Sequence, residues 1–481
     1  MLRTLLFVAA LLGLATPSAA GQDRPLALHP NNPHYFLFRG QPTILLTSGE
    51  HYGAVLNQDF DYTRYLDELK RCGFNLTRTF SGTYFEVPGS FKIVDNTLAP
   101  TAKAYRGPWA RSNQPGAADG SNKFDLSRWD ATYFARLKDF VAQAGKRGIV
   151  VELVLFCPLY DDKLWHVSPL RSANNVNDVG KVGRKAVFAL KEQALTQAQE
   201  AVTRKLITEL KDFDNVYFEV CNEPYFGGVT RAWQDRIIDV IVDAEKGLPH
   251  RHLIAQNVAN GAARIEKPNP HVAVFNFHYA TPPTAVELNY SLSRPIGDDE
   301  TGFKGTGDRA YRTEAWDFLV AGGAVFSNLD YSFTCKHPDG TFQVTTSPGG
   351  GGPELRRQLG ILKRFLDGFE FVRMKPANDL LRKQQITPEP VPKGAKPGPA
   401  ATVRVLAERG RQYAVYVRGG VAVELTLELP AGGYRAEWLN PRTGQVDRAE
   451  DFRHNGGERS LVAPAYTEDI ALRLTHAAEK R

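Results

Sequence analysis

The sequence predicts a (β/α)8 barrel followed by a small β-sandwich, and two patterns in the chain predict this fold. From about residue 35 to 375, eight short apolar runs alternate with amphipathic stretches of helical periodicity, as in parallel strands joined by crossover helices. After residue 400, apolar residues alternate one by one with polar residues, as in antiparallel strands. A doubly wound open sheet is the other arrangement that the first pattern allows.

The size and composition of the chain agree with two globular domains. A length of 481 residues exceeds what one core usually holds, and 42% apolar and 23% charged residues are ordinary values for a folded protein. The net charge of +6 is a small excess, and no basic run with interleaved aromatic residues occurs, so we expect no nucleic-acid partner. We also expect a monomer that uses no cofactor and no metal.

Residues 1–20 have the layout of a secretory signal peptide. Arg3 precedes an apolar stretch from Leu5 to Leu12, and small residues end at Ala20, where cleavage is expected. An N-terminal anchor helix is the alternative, but the apolar run is shorter than the roughly 20 residues that span a bilayer. We therefore expect a secreted or periplasmic protein with no membrane span after cleavage.

The barrel domain is predicted over residues 21–385. Its strands are expected at Thr43–Thr47, Leu76–Phe80, Ile149–Phe156, Val216–Val220, Leu253–Gln256, Val272–Phe277, Pro295–Asp298 and Ala324–Leu329. Its helices are expected at Phe60–Cys72, Trp129–Arg147, Val187–Lys211, Arg231–Glu245 and Glu354–Asp367. Two insertions, residues 87–122 and 158–184, follow the second and third strands, on the face where barrel active sites form.

A proline-rich linker is predicted over residues 386–400, which hold five prolines, and a β-sandwich over residues 401–481. The sandwich is expected to bind glycan, bind protein or only cap the barrel. The chain has four cysteines far apart in sequence. Cys157 and Cys221 lie near the ends of consecutive strands, so a disulfide is conceivable, but we expect free, structural thiols.

The strongest local motif is Asn222-Glu223-Pro224 at the tip of the fourth strand. It is either a strand end that happens to carry a carboxylate or one half of an acid/base pair. Glu300, at the tip of the seventh strand, is the candidate partner, because two carboxylates across a barrel mouth can flank a glycosidic bond. Asp298 and Asp299 are its neighbours, and strand parity alone does not separate Asp298 from Glu300.

Together these residues resemble the clan A retaining glycoside hydrolases, the superfamily of the family-5 cellulases. The resemblance implies that Glu223 is the acid/base, Glu300 the nucleophile, and that Asn222 contacts the sugar 2-hydroxyl. It further implies that Arg78 hydrogen-bonds the nucleophile, although a salt bridge elsewhere in the barrel is the other interpretation of this arginine. His278-Tyr279 look like the aromatic pair of the sixth strand. The segment after residue 400 is similar to the small β-domain behind such barrels.

Other side chains are candidates for substrate contacts. Tyr331 stands where the superfamily often has a tryptophan at the tip of the eighth strand, and Glu50 and His51 follow the first strand, where they either bind a sugar or pack the loop. Rings that offer a face to a sugar are expected on loops, at Tyr84, Phe85, Trp109, Trp165 and Tyr225. Among these, Trp165 is the best candidate.

The sequence therefore predicts a secreted, cofactor-independent retaining glycoside hydrolase that acts on a polysaccharide or oligosaccharide. The alternative from another class is a carbohydrate-binding or adhesion protein on a barrel that has lost turnover. Inverting hydrolysis and transglycosylation are further alternatives within the enzyme class. The sugar and the linkage are not specified by any residue pattern.

Overall fold

The computed structural model describes residues 24–391 and 400–476. The predicted signal peptide lies outside the described residues, as does most of the predicted linker. Two short antiparallel strands, Phe36–Phe38 and Gln41–Thr43, lead into the barrel, together with Ala27–Leu28. No helix in the described part of the chain has both the length and the apolar character needed to cross a membrane.

Eight parallel strands form the barrel, as the sequence predicts. They are β1 (Leu45–Gly49), β2 (Leu76–Phe80), β3 (Val150–Phe156), β4 (Val216–Cys221), β5 (Ile254–Asn260), β6 (Val274–His278), β7 (Ile296–Thr301) and β8 (Val325–Leu329). Their order in space is β1-β8-β7-β6-β5-β4-β3-β2. The sheet nearly closes, because the Asn75 N–H at the start of β2 donates to the carbonyl of Leu46 in β1 at 3.3 Å.

Helices surround the barrel. They are α1 (Tyr62–Arg71), α2 (Ala131–Lys146), α3 (Asp162–Val167), α4 (Gln193–Leu210), α5 (Arg231–Ala244), α6 (Thr284–Asn289), α7 (Asp308–Val320) and α8 (Pro353–Asp367). No helix joins β5 to β6. α7 is absent from the predicted helices because every residue from Tyr311 to Val320 is buried, including charged ones such as Arg312 and Asp317, so polarity does not follow a helical period.

Two antiparallel sheets follow the barrel, as predicted. Their strands are β9 (Lys375–Pro376), β10 (Leu381–Thr387), β11 (Thr402–Glu408), β12 (Gln412–Arg418), β13 (Ala422–Leu429), β14 (Gly432–Leu439), β15 (Val446–His454), β16 (Gly457–Val462) and β17 (Asp469–His476). One sheet has the order β9-β11-β12-β17-β14-β15 and the other β10-β13-β16. Since β10 pairs with β13, the sandwich takes in residues that precede the predicted linker.

The sandwich packs on α7, the helix that follows β7. The guanidinium of Arg312 is buried and donates to both carboxylate oxygens of Asp469, at 2.8 and 3.1 Å. Beside this pair, the rings of Trp316 and Tyr416 stack with centroids 5.4 Å apart. The sandwich is therefore joined to the barrel through a helix whose preceding strand carries Glu300.

Candidate functional site

A cavity of about 430 Å³ opens at the C-terminal ends of the barrel strands. Asn222 and Glu223 reach it from the tip of β4, and Glu300 reaches it from β7. The loop after β3 contributes Tyr160, and the loop after β6 contributes Tyr279. The face that the sequence indicates is thus the one where the polar side chains converge.

The two candidate carboxylates lie close together. One carboxylate oxygen of Glu223 and one of Glu300 are within 4.8 Å of each other. Between them lies the imidazole of His278, whose Nδ1 is 3.3 Å from Oε1 of Glu223 and 3.4 Å from Oε1 of Glu300. The imidazole therefore contacts both carboxylates and contributes to the distance between them.

Glu300 is held in its ionised form. Tyr52 Oη donates to its Oε2 at 2.8 Å, Tyr279 Oη donates to its Oε1 at 3.0 Å, and Arg78 Nη1 lies 3.4 Å from Oε2. Burial alone would raise the pKa of this carboxyl, but the charge and hydrogen bond of His278, with Arg78 and Tyr52, hold the pKa well below its usual range. An ionised carboxylate facing a cavity is equipped to act as a nucleophile.

Glu223 has different neighbours. Tyr160 Oη donates to its Oε2 at 2.6 Å and accepts from Nδ2 of Asn222 at 2.8 Å. Tyr225 Oη is 3.3 Å from its Oε1. The backbone of Glu223 has a φ of +35°, outside the regions that non-glycine residues favour, which indicates strain kept at this position by its surroundings.

A buried charge network lies beneath the pair. Arg78 donates to Glu219 at 2.6 Å and to Oδ1 of Asn222 at 2.7 Å, and its Nε is 3.1 Å from Asp299. These contacts are closer than its contact with Glu300. Arg78 therefore both contacts the candidate nucleophile and forms salt bridges elsewhere in the barrel interior. Burial and the charge of Glu219 raise the pKa of Glu152 to about 8, and the same causes raise that of Asp299.

His278 is the link between this network and the cavity. Its Nε2 lies 3.4 Å from Asp299 and its Nδ1 faces both glutamates. Burial would lower the pKa of the imidazole, but the charges of Glu300 and Asp299 raise it well above its usual value. The two carboxylates therefore favour the protonated ring, which places positive charge next to Glu300.

Two groups of side chains have atoms spaced as metal ligands. One is Glu223, His278 and Glu300, and the other is Glu152, Glu219 and Asp299. In the second group, the guanidinium of Arg78 already supplies a cation. In the first, tyrosine hydroxyls donate to the carboxylate oxygens that a metal would take. The donor sets therefore fit hydrogen-bonded carboxylates better than a metal centre.

Three predicted substrate contacts are not at the cavity. Glu50 is buried, and its carboxylate accepts from the N–H groups of Gly53 and Ala54, both at 2.9 Å, so it orders the loop after β1. Trp165 is buried in α3, where its ring packs against the barrel core. Tyr331 is only 2% exposed and lies behind the ring of Phe303. His51 does line the cavity, 3.4 Å from Glu86.

Most rings expected to offer faces to sugars are packed instead. Tyr84, Phe85 and Trp109 are buried, because the insertion after β2 folds back on the barrel with its own hairpin, Trp109–Pro115 and Asn122–Trp129. Tyr225 is the exception and stands exposed beside Glu223. Tyr84, Phe85 and Trp109 therefore extend the core of the barrel and do not line the cavity.

The strand parity expected around Glu300 is broken in the structure. The pairing of β7 with β8 shifts register between Asp298 and Thr301, and its pairing with β6 shifts at the same place. As a result Asp299 faces the barrel interior and Glu300 faces the cavity, while Asp298 Oδ1 accepts from the N–H of Ala280. Because of this bulge, Asp298, Asp299 and Glu300 point in three different directions, which simple strand alternation does not predict.

Several cavity residues were missed by the sequence analysis. Tyr52 and Tyr160 donate to the two carboxylates, and Glu86 lines the cavity beside His51. Their positions just after β1, β2 and β3 are the only signal that the sequence offers. Apolar rings at the opening, Phe91, Phe226 and Phe303, were missed as well.

Comparisons with known proteins agree with this fold. A family described as a domain of unknown function, DUF6298, matches residues 97–256, a segment that contains Glu223 and ends within β5. The structure is similar to a provisionally assigned glycoside hydrolase from Bacteroides vulgatus ATCC 8482, with a TM-score of 0.68 and 15% identity over 96% of this chain and 84% of the other. A search of curated protein sequences finds no significant match.

Two further solved structures share the architecture over nearly the whole chain. One is a glycoside hydrolase of family 5 from Bacteroides vulgatus ATCC 8482, with a TM-score of 0.62, 14% identity and coverage of 95% of this chain and 94% of the other. The other is described as a glycoside hydrolase, with a TM-score of 0.62, 13% identity and coverage of 95% and 98%. At these identities the likeness establishes the barrel and the C-terminal β-domain.

Proposed function

We propose that the protein is a retaining glycoside hydrolase that cleaves O-glycosidic bonds, with Glu300 as nucleophile and Glu223 as acid/base. The observation that carries the proposal is the short distance between the two carboxylates at the barrel mouth, with oxygens within 4.8 Å. Retention needs carboxyl groups roughly 5–5.5 Å apart, whereas inversion needs about 6.5–9.5 Å to admit a water molecule. The fold shared with known glycoside hydrolases adds support.

The two glutamates divide the reaction between them. Glu300 attacks the anomeric carbon as a carboxylate, and the bond to the leaving oxygen breaks as Glu223 gives that oxygen its proton. Glu223, now ionised, then takes a proton from water, and the resulting hydroxide displaces Glu300 from the sugar. Two displacements at one carbon restore its configuration. The network around Glu300 supplies the ionised state that the first step requires.

The remaining polar groups position these two. Tyr52 and Tyr279 orient the carboxylate of Glu300, one on each oxygen. Tyr160 orients Glu223 and holds Asn222, whose amide is placed beside the pair. Two carboxylates held by these hydrogen bonds support turnover over the alternative of a barrel that only binds carbohydrate.

We propose a polysaccharide or oligosaccharide as the carbohydrate substrate and export as the route to it. Support for export is the sequence of residues 1–20, with one basic residue, an apolar stretch and small residues before the expected cleavage site. N-terminal sequencing of the protein isolated from culture medium or periplasm tests the proposal of export. An N-terminus at Gly21 is the expected result, and a retained Met1 in the cytoplasm would contradict it.

A rescue experiment tests the catalytic roles. Glu300→Ala should lose about 10³-fold or more of the hydrolytic rate on any substrate found in a panel of glycans and nitrophenyl glycosides. Azide should restore turnover and give a glycosyl azide of inverted configuration, because the small anion enters the space of the missing carboxylate. Asp298→Asn, two residues away and directed away from the cavity, is the matched control and should keep its activity. Full activity in Glu300→Ala would refute the assignment.

A further inference from the structure

Exposed phenyl rings surround the opening of the cavity, and the proposed chemistry does not use them. We call Phe91, Phe226 and Phe303 the phenyl collar; they line the cavity and are 39%, 44% and 41% exposed. Tyr225, 37% exposed, packs against Phe226. Within residues 24–391 and 400–476, every largely exposed aromatic side chain belongs to this group. A concentration of apolar surface at one opening marks a binding surface rather than chance exposure.

The rings of the collar meet their neighbours at steep angles. Phe91 and Phe303 have centroids 6.4 Å apart and planes at 79°, and Phe303 and Tyr279 are 6.4 Å apart at 73°. On the other side, Phe226 and Tyr160 are 6.0 Å apart at 59°. Edge-to-face contact is a favoured arrangement of aromatic rings, and here it joins the rings into one apolar surface at the opening. This geometry suits an apolar chain or ring that enters between them.

Polar groups are concentrated at the floor of the cavity, apart from Asn260, whose Oδ1 accepts from Tyr225 beside Phe226. Glu223, Glu300 and Asn222 lie there with His51 and Glu86, and they offer hydrogen bonds to the hydroxyls of one sugar. The collar has no hydrogen-bonding side-chain atom. Sugar hydroxyls placed against it would lose water without a replacement partner, which is costly, while an alkyl or aryl group placed there is removed from water at a gain.

The backbone at Phe91 is strained, which indicates that the surrounding structure holds this ring at the opening. Phe91 has a φ of +52° and Lys92 a φ of +62°, the left-handed conformation that bulky residues rarely adopt. Such strain persists where the surroundings fix it, and it collects at ligand-binding positions. Here the surroundings include Tyr160, whose ring meets that of Phe91 edge to face at 5.4 Å.

We propose that the phenyl collar binds an apolar aglycone, so that the substrate is a glycoside whose leaving group is an alkyl or aryl alcohol. This inference rests on the proposed function, because it assigns the floor to the sugar and the collar to the group that leaves the anomeric carbon with a proton from Glu223. Of the carbohydrate substrates proposed above, it therefore selects a sugar or oligosaccharide that is joined to an apolar alcohol, rather than a polysaccharide made of sugar units alone.

Titration calorimetry with two probes tests the inference in proteins that all carry Glu223→Gln, which slows the hydrolysis of alkyl glycosides; wild-type here means the protein with an intact collar. The wild-type protein should bind n-octyl β-D-glucopyranoside, below its micelle concentration, about tenfold or more tightly than methyl β-D-glucopyranoside, because the octyl chain contacts the collar. The double variant Phe226→Ser/Phe303→Ser should lose this preference. The matched control is Val446→Ser/Val462→Ser, which removes similarly exposed apolar side chains from the sandwich and should keep it. A Phe226→Leu variant, still apolar, should keep most of it.

Three outcomes would overturn the inference. The first is equal binding of the octyl and methyl glycosides by the wild-type protein. The second is tighter binding of cellobiose than of the octyl glycoside, with the cellobiose affinity lost in the double variant, since that result makes the collar a sugar platform. The third is collar-dependent binding to phosphatidylcholine vesicles without any octyl preference. Unchanged hydrolysis by Glu300→Ala would instead defeat the proposed function and leave these binding results in force.

Discussion

The hydroxyl of Tyr52 gives the sharpest test of how the site keeps Glu300 ionised. It donates to Oε2 of Glu300 at 2.8 Å, and its ring lies under the guanidinium of Arg78, 4.6 Å from centroid to Cζ. Tyr52→Phe removes one oxygen atom and keeps the ring, which stacks on Phe80. The substitution therefore deletes the hydrogen bond while leaving the packing of a buried side chain in place.

The size of the effect follows from the charge on the acceptor. A hydrogen bond to a charged group contributes about 1.5–3 kcal/mol, and one pKa unit corresponds to about 1.36 kcal/mol. Tyr52→Phe should therefore raise the pKa of Glu300 by about one to two units. In the intact site this pKa lies below the ordinary 4.5, so the ionised form and the activity persist above it and are lost as the pH falls through it. The variant should lose activity at a higher pH.

The pH dependence of kcat/KM measures this shift. Its acid limb should move upward in Tyr52→Phe and, through the other carboxylate oxygen, in Tyr279→Phe. Tyr62→Phe is the matched control, because it removes a tyrosine donor to Asp139, far from the cavity, and should leave the limb unchanged. An acid limb that stays in place in both active-site variants, with folding intact, would refute the account of Glu300.

Three further predictions concern the acid, the domain contact and the thiols. Glu223→Gln should lose about 10²–10⁴ of its rate on glycosides with alkyl leaving groups but far less on nitrophenyl glycosides, which need no proton; steady-state kinetics on the matched pair decides, and equal losses would contradict the acid role. Arg312→Met should lower the free energy of unfolding in urea by about 3–5 kcal/mol, because it leaves Asp469 buried without a counter-charge. The control Arg309→Met, at an exposed ion pair on the same helix, should lower it by no more than about 1 kcal/mol. Similar losses in the two variants would contradict the buried contact. Thiol titration of the denatured, unreduced protein should find four free cysteines, and a count of two would contradict the structure.

The fold was predictable because the barrel strands carry their own signal. Runs such as Val216–Cys221 are buried on both faces and are therefore apolar except for Glu219, which allows the bounds of each strand to be predicted within a few residues. The segment 308–320 gave no such signal, since this helix is buried between barrel and sandwich and its polarity does not follow a helical period. Strand β10 was taken for barrel and linker because most of its residues are exposed at the edge of a three-stranded sheet.

The site was predictable where it lies on strand ends and less so where it lies on loops. Glu223 and Glu300 follow apolar runs, so their positions at the barrel mouth could be read from the sequence. Tyr52 and Tyr160 lie in loops whose paths depend on tertiary packing, and a single tyrosine carries no pattern. Trp165 does not line the cavity for a different reason, because a large ring in an insertion is more easily buried against the barrel core than left as an open platform.

Trapping the intermediate tests the central claim, that Glu300 forms a covalent bond with the sugar. The protein is incubated with 2-deoxy-2-fluoro glycosides that carry a good leaving group, and intact-protein mass spectrometry followed by peptide mapping locates any added sugar. The account predicts one fluoroglycosyl group per chain, attached to Glu300 and absent in Glu300→Ala. A label on Glu223, or turnover that releases a product of inverted configuration with no label at all, would contradict it.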